Sequence, residues 1–230
     1  MEKIYFITGI DTDAGKSIST GVMALYLKNK GINVITQKMA QTGCVGISED
    51  IATHRNIMGI GLLPEDVQGL TCPYIFSFPA SPDFSASLEG KEINVNEIID
   101  ATNFLSGKYD VVLVEGVGGI MVPLNESVTV ADYLVRTSYP VIIVASAKLG
   151  SINHTLMTLE VCRNRNIKVT GLIYNKYIRT NPEITDASAE SLKKYLSCYY
   201  PEAGFVELDE WETGCQPPDM SAALERIQKS

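Results

Sequence analysis

Three uninterrupted apolar runs, Tyr5–Ile7, Val111–Val114 and Pro140–Ala145, constrain the fold more than any other feature of the chain. A strand with one wet face alternates apolar and polar residues, so a run without polar interruption belongs to a strand covered on both faces. Two more strand patterns follow at Ile32–Gln37 and Lys168–Tyr174, and the second apolar run extends over Asp110–Glu115. Between them the spacing predicts helices over residues 16–29, from Ser48 or Glu49 to Met58, and over Asn94–Leu105, Ser151–Arg165 and Thr185–Ser197. Strands alternating with helices predict an α/β fold, a doubly wound, mostly parallel sheet flanked by helices, here as a single domain over residues 1–230. Ligands of such sheets gather beyond the carboxyl ends of the strands.

The first run leads into Thr8-Gly9-Ile10-Asp11-Thr12-Asp13-Ala14-Gly15-Lys16-Ser17 and then into a helix with Ile18, Val22 and Leu25 on one face. Strand, tight polar turn and helix start form a phosphate-binding loop, because free N–H groups and the helix dipole stabilise an anion there. Lys16 would reach the β- and γ-phosphates of a nucleotide, and the Ser17 hydroxyl would take a position on Mg²⁺. The fold is therefore expected to be of the P-loop NTPase type. In the usual GxxxxGK spacing the first glycine lies where this chain has Ile10, so the loop is a variant.

Composition narrows the partners. A net charge of −8 argues against nucleic acid or an anionic membrane surface as partner. No apolar run reaches the length of a membrane span and the amino terminus reads as a charged strand start, so a cytoplasmic location is expected. Cys44, Cys72, Cys162, Cys198 and Cys215 are odd in number and widely spaced, as expected of buried or idle thiols.

Polar residues at the strand ends are expected to meet at the loop: Lys38, Glu115 with Gly116–Gly119 after it, Lys148 and Asn175. Glu115 closes a buried run, where a carboxylate is costly unless it faces a cation. Asp50 either supplies a further carboxylate to Mg²⁺ or complements a helix dipole as an N-terminal acid. Gly116–Gly119 either lets backbone approach a ligand closely or is simply a flexible turn after the strand, Ser151 reads as a helix N-cap, and His154 as a packing or capping residue. His54 is expected at the surface. The proline-rich segment Cys72–Gly90 is expected to be irregular, Phe205–Pro218 carries only weak periodicity, and a short helix is expected from about Asp219.

Four segments in this order, Gly9–Ser17, Lys38-Met39-Ala40-Gln41-Thr42-Gly43, Val114-Glu115-Gly116-Val117-Gly118-Gly119 with Pro123, and Lys148–His154, resemble the dethiobiotin synthetases. The resemblance implies an enzyme of biotin synthesis that closes a cyclic urea from 7,8-diaminononanoate and CO₂ with ATP and Mg²⁺. It implies that Asp13, Ala14, Gly15, Lys16, Ser17, Ile18, Glu115 and Asn175 hold the nucleotide, Asn175 at adenine. Ser17, Asp50 and Glu115 would surround the metal. Thr12, Lys38 and Thr42 would hold the carbamate and the transferring phosphoryl group, with Lys16, Lys38 and Thr12 catalytic. Gly118 would contribute backbone on the substrate side, and Gly150, Ser151 and Asn153 would bind the substrate carboxylate across a homodimer interface. Partitioning ATPases share the loop but carry a second lysine where this chain has Asp11. Asp83 stands where the resembled family has histidine, and the segment around Gly204–Leu208 lacks the family's Gly-x-x-Pro.

Overall fold

The computed structural model describes residues 3–177, 181–212 and 214–224. Its strands are β1 (Ile4–Gly9), β2 (Val34–Lys38), β3 (Gln41–Thr42), β4 (Ile75–Phe76), β5 (Val111–Gly119), β6 (Val141–Ser146), β7 (Val169–Asn175) and β8 (Gly204–Leu208). Its helices are α1 (Lys16–Asn29), α2 (Glu49–Ile57), α3 (Pro64–Val67), α4 (Pro82–Leu88), α5 (Val95–Lys108), α6 (Val130–Thr137), α7 (Ser151–Asn164) and α8 (Pro182–Tyr199). Six strands form one parallel sheet in the order β2-β5-β1-β6-β7-β8, and β3 pairs with β4 apart from it. The apolar runs are its middle: Tyr5, Phe6, Ile7, Val111 to Val114 and Val141 to Ala145 are all fully buried.

The chain leaves β1 toward the β2 edge and later passes from β5 over β1 toward β8, so its direction reverses around β1. With right-handed crossovers the two directions place their helices on opposite faces, and the crevice opens at the carboxyl end of β1. Helix α1 begins at Gly15, whose φ of 93° is a left-handed conformation, and stops at Gly31, φ 78°. Ser48 caps α2 by accepting a hydrogen bond from the Ile51 N–H at 3.2 Å.

Several expectations require correction. The segment Cys72–Gly90 is partly regular, because it carries β4 and α4, and Pro82 stands in the first turn of α4, where a missing N–H costs no helical bond. Strand β5 does not stop at Glu115; it runs through the glycines, with Gly119 paired to Gly9 of β1. The cap of α7 is Gly150, and Ser151 is the first helical residue, buried. Helix α6 and strand β8 are not among the expected elements. Residues 221–224 form turns, and the rest of the helix expected from Asp219 lies outside the described residues. Before that point Met220, Ala223 and Leu224 are buried, and the Tyr26 hydroxyl donates to Asp219 Oδ1 at 2.8 Å, fastening this tail to α1.

Candidate active site at the strand ends

The loop between β1 and α1 folds tightly. A Cβ on Gly15 would stand 1.9 Å from Asn175 Nδ2 and displace that amide, and the φ of 93° strains any residue but glycine. Asn175, at the end of β7, donates from Nδ2 to the Ala14 carbonyl at 3.1 Å and accepts from the Tyr177 N–H at 3.1 Å. Lys16 bends back over the loop, its Nζ donating to the Asp11 carbonyl at 2.9 Å. Its own burial, then the nearby charge of Lys38, pushes the Lys16 pKa down to about 8. On the outer side Lys148 Nζ lies 3.0 Å from Asp11 Oδ2, tying the loop to the segment before α7. This lysine, hydrogen-bonded to Asp11, holds that carboxyl below the usual aspartate value.

Beside the loop, three elements deliver an oxygen-rich cluster. The Ser17 hydroxyl, from α1, lies 2.7 Å from Asp50 Oδ1 in the first turn of α2 and 3.0 Å from Glu115 Oε1 in β5. Lys38, the last residue of β2, puts its ammonium 2.6 Å from Asp50 Oδ2 and 2.8 Å from Glu115 Oε1. It also donates to the Gly116 carbonyl at 3.0 Å. Burial opposes the charge on both Lys38 and Glu115. Their mutual attraction wins, with Asp50 adding to Lys38 and His54 to Glu115, so the lysine pKa stands above and the glutamate pKa well below its ordinary value.

His54 is not a surface residue. Its ring is fully buried, with Nε2 2.7 Å from Glu115 Oε2 and Nδ1 3.0 Å from Thr36 Oγ1. The expectation failed because α2 is a polar helix, and its polar face turns inward onto β2 and β5. A signal was available: His54 follows Asp50 by four residues, which places both on one helix face.

Above the cluster opens a cleft of about 780 Å³. Of the residues singled out in the sequence, Thr12, Asp13, Gly15, Lys16, Ser17, Ile18, Lys38, Thr42, Asp50, Glu115, Gly118 and Asn175 line it. Pro79, Ala80, Ser81 and Pro82 supply a further wall, brought in by the β3–β4 pair and the start of α4. Ala14 turns its carbonyl to Asn175 and is not part of the lining, and neither are Gly150, Ser151 and Asn153 at the start of α7.

A parallel sheet whose central strand runs into a Gly-Lys-Ser loop, with two carboxylates facing the serine, defines a P-loop NTPase. Residues 3–206 match a family model described as an AAA domain. The solved ParA family ATPase of Chlorobium tepidum is similar with a TM-score of 0.54 at 14% identity, over 91% of this chain and 84% of that one. The cell division protein FtsY of Thermotoga maritima is similar with a TM-score of 0.52 at 12% identity, over 94% of this chain and 64% of that one. These likenesses carry the fold. The chain belongs to the ATP-dependent dethiobiotin synthetase family: it is 51% identical to BioD 2 of Pasteurella multocida over 91% of its length and 98% of that protein. It is also 46% identical to BioD 2 of Haemophilus ducreyi, over 91% and 99%, and 43% identical to BioD of Chlorobaculum tepidum, over 96% and 93%.

Proposed function

We propose that this cleft closes the ureido ring of dethiobiotin from 7,8-diaminononanoate, CO₂ and ATP, with Mg²⁺ held by Ser17, Asp50 and Glu115. The observation that carries the reading is the convergence of Lys16, Lys38, Ser17, Asp50 and Glu115 on one cleft floor. A hydroxyl and two carboxylates are hard oxygen donors of the kind Mg²⁺ takes while keeping water and phosphate oxygens, and the Lys38 ammonium already marks the spot as one that demands positive charge. When bound, the ion would neutralise charge on the β- and γ-phosphate oxygens.

The chain's own residues account for the rest. One amine of the substrate adds to CO₂ and loses a proton, giving a carbamate. Thr12, Thr42 and Lys38 would orient the carbamate so that its oxygen attacks the γ-phosphorus while Lys16 and the loop N–H groups hold the phosphates. The bond to ADP breaks and a carbamic–phosphoric anhydride forms. The second amine then attacks the carbonyl carbon and expels phosphate, and because it belongs to the same molecule the ring closes as an intramolecular step. Lys38 supplies fixed positive charge near the transferring group, which its two carboxylate partners keep protonated. Gly118, at φ 57° on the cleft wall, offers backbone on the substrate side. Asp13 and Ile18 flank the loop, and Ala14 and Gly15 shape it. Asn175 keeps one amide hydrogen free of the Ala14 bond for an adenine ring.

We place the active unit in a homodimer, with Gly150, Ser151 and Asn153 of one subunit at the substrate carboxylate of the other. Support comes from the exposed Gly150 and Asn153, which lie outside their own chain's cleft, and from the exposed Leu149 and Met157 near them, Ser151 being buried within its own subunit. One domain over residues 1–230, acting in the cytoplasm, completes the reading. No helix among the described residues is long and apolar enough to cross a membrane. The partitioning-ATPase alternative is weaker, since Asp11 stands in place of that group's second lysine and is tied to Lys148. Phosphate release measured with and without diamine and bicarbonate tests the reading. Release that depends on both is expected, and release indifferent to both would overturn it.

A further inference from the structure

We propose that His54 is a positioning residue for Glu115, the last link of a one-way chain of hydrogen bonds that holds one carboxylate oxygen back so that the other faces the cleft. The inference rests on the reading of Glu115 as a ligand of Mg²⁺.

The direction of the chain follows from its first member. Arg55 can only donate. It gives Nε and Nη2 to the two oxygens of Asp66 at 2.9 and 2.8 Å, and Nη1 to Thr36 Oγ1 at 2.8 Å. The Thr36 oxygen is therefore an acceptor toward Arg55, and its single hydrogen is left for His54 Nδ1 at 3.0 Å. With Nδ1 accepting, Nε2 carries the ring hydrogen and donates to Glu115 Oε2 at 2.7 Å. The tautomer is thus assigned by the network. The reverse direction would leave the Thr36 hydrogen without an acceptor among these contacts. Arg55, Thr36, His54 and Glu115 are all at most 2% exposed, so water does not repair a missing bond.

The consequence is a division of labour within one carboxylate. Oε2 is committed to His54, while Oε1 is the atom that meets Ser17 and Lys38. Without the imidazole, Glu115 could rotate about its terminal bond and give both oxygens to Lys38. A group that hydrogen-bonds a metal-binding carboxylate from behind fixes its orientation, and loss of such groups costs roughly 10–100-fold in metal affinity. The rival account is that His54 merely fills space between α2 and the sheet.

The test is binding of a fluorescent ATP analogue to the full-length protein, first in chelator and then across a Mg²⁺ titration, for wild type, His54→Leu, Thr36→Val and Glu115→Gln. Leucine removes the bond and keeps the bulk, and valine removes only the hydroxyl. His54→Leu is expected to raise the Mg²⁺ concentration at half-effect about 10–100-fold and to leave binding in chelator within about twofold. Thr36→Val is expected to shift it in the same direction by a few-fold. If Glu115→Gln shifts the titration while both other variants keep the wild-type curve, His54 fills space and the proposal falls alone. If Glu115→Gln also keeps the wild-type curve, the metal reading falls and takes this proposal with it. An equal loss of binding in chelator for His54→Leu would mark general damage and likewise overturn the assignment. Should His54→Leu fail to fold by its thermal melt, Thr36→Val decides.

Discussion

Lys38 and Glu115 are direct register partners on neighbouring parallel strands, and their side chains meet at 2.8 Å. Strand pairing therefore brings the buried Lys38 ammonium and the buried Glu115 carboxylate to the same level of the sheet. Lys38→Met would strand two carboxylates that both face Ser17. Removing one partner of a buried pair costs about 3–5 kcal/mol. Urea unfolding in chelator is expected to show a loss of that order, and Mg²⁺ is expected to restore part of it, more than it adds to wild type. A melt of the variant that ignores Mg²⁺ would remove the carboxylates from the ion's shell.

Nucleotide affinity is expected to weaken in alkali. Lys16 is held down to about 8, so in the free protein its charge is full below that pH and fades above it. A triphosphate binds the charged form, and above the pKa binding must take up a proton. The dissociation constant for ATP should then climb toward roughly tenfold per pH unit. Lys16→Ala should bind weakly at every pH with no such slope, and phosphoryl transfer should vanish. A wild-type profile flat from about pH 7 to 10 would contradict the role of this ammonium.

Asp66 is predicted to be a stability determinant remote from the cleft floor. Besides the two bonds from Arg55 it accepts from the Thr71 hydroxyl and the Leu63 N–H, both at 2.7 Å. Burial alone would raise its pKa, but these four donors bring it below the ordinary aspartate value of 3.8. Its contribution is accordingly complete above that value and is lost as the pH falls toward the lower folded value. Asp66→Ala should cost about 3–5 kcal/mol near neutrality in denaturant unfolding. It should also flatten the acid limb of the wild-type stability curve, and an unchanged limb would count against the assignment.

Gly21 sets how closely α2 approaches α1. A Cβ there would lie 2.6 Å from Ile57 Cδ1, so Gly21→Val forces the helices apart. Overpacking of this kind costs about 1–3 kcal/mol. Because α2 carries Asp50 and His54, the loss should be accompanied by a weaker Mg²⁺ titration. A destabilised variant with an intact titration would show that α2 tilts about its first turn instead of shifting.

Most of the sheet was legible because burial on both faces writes itself into the sequence as unbroken apolar runs, as in Val111–Val114. The phosphate loop was legible because its chemistry is local to Gly15, Lys16 and Ser17. Strand β8 was not, since only Val206 and Leu208 of its residues are buried and Glu207, half-buried between them, breaks the apolar run. Helix α6 did carry a signal. Thr129 accepts from the Asp132 N–H at 3.2 Å while Asp132 takes the Thr129 N–H at 2.8 Å, a capping box spelled with aspartate. For His54 the only signal was its spacing from Asp50, and Arg55 had none, because their partners, Glu115, Thr36 and Asp66, lie on other segments and a polar residue reveals burial only through what it meets.

The bond between Ser17 and Glu115 joins residues 98 positions apart, and the Lys38–Glu115 contact spans 77. Contacts so distant along the chain close late, after much backbone freedom has been given up. Nascent or partly unfolded chains that display the Gly-Lys-Ser turn should consequently lack a competent cleft. Ligand-dependent protection from proteolysis would then report completion of the whole sheet, and the enzyme's nucleotide would act as a probe of its own maturation.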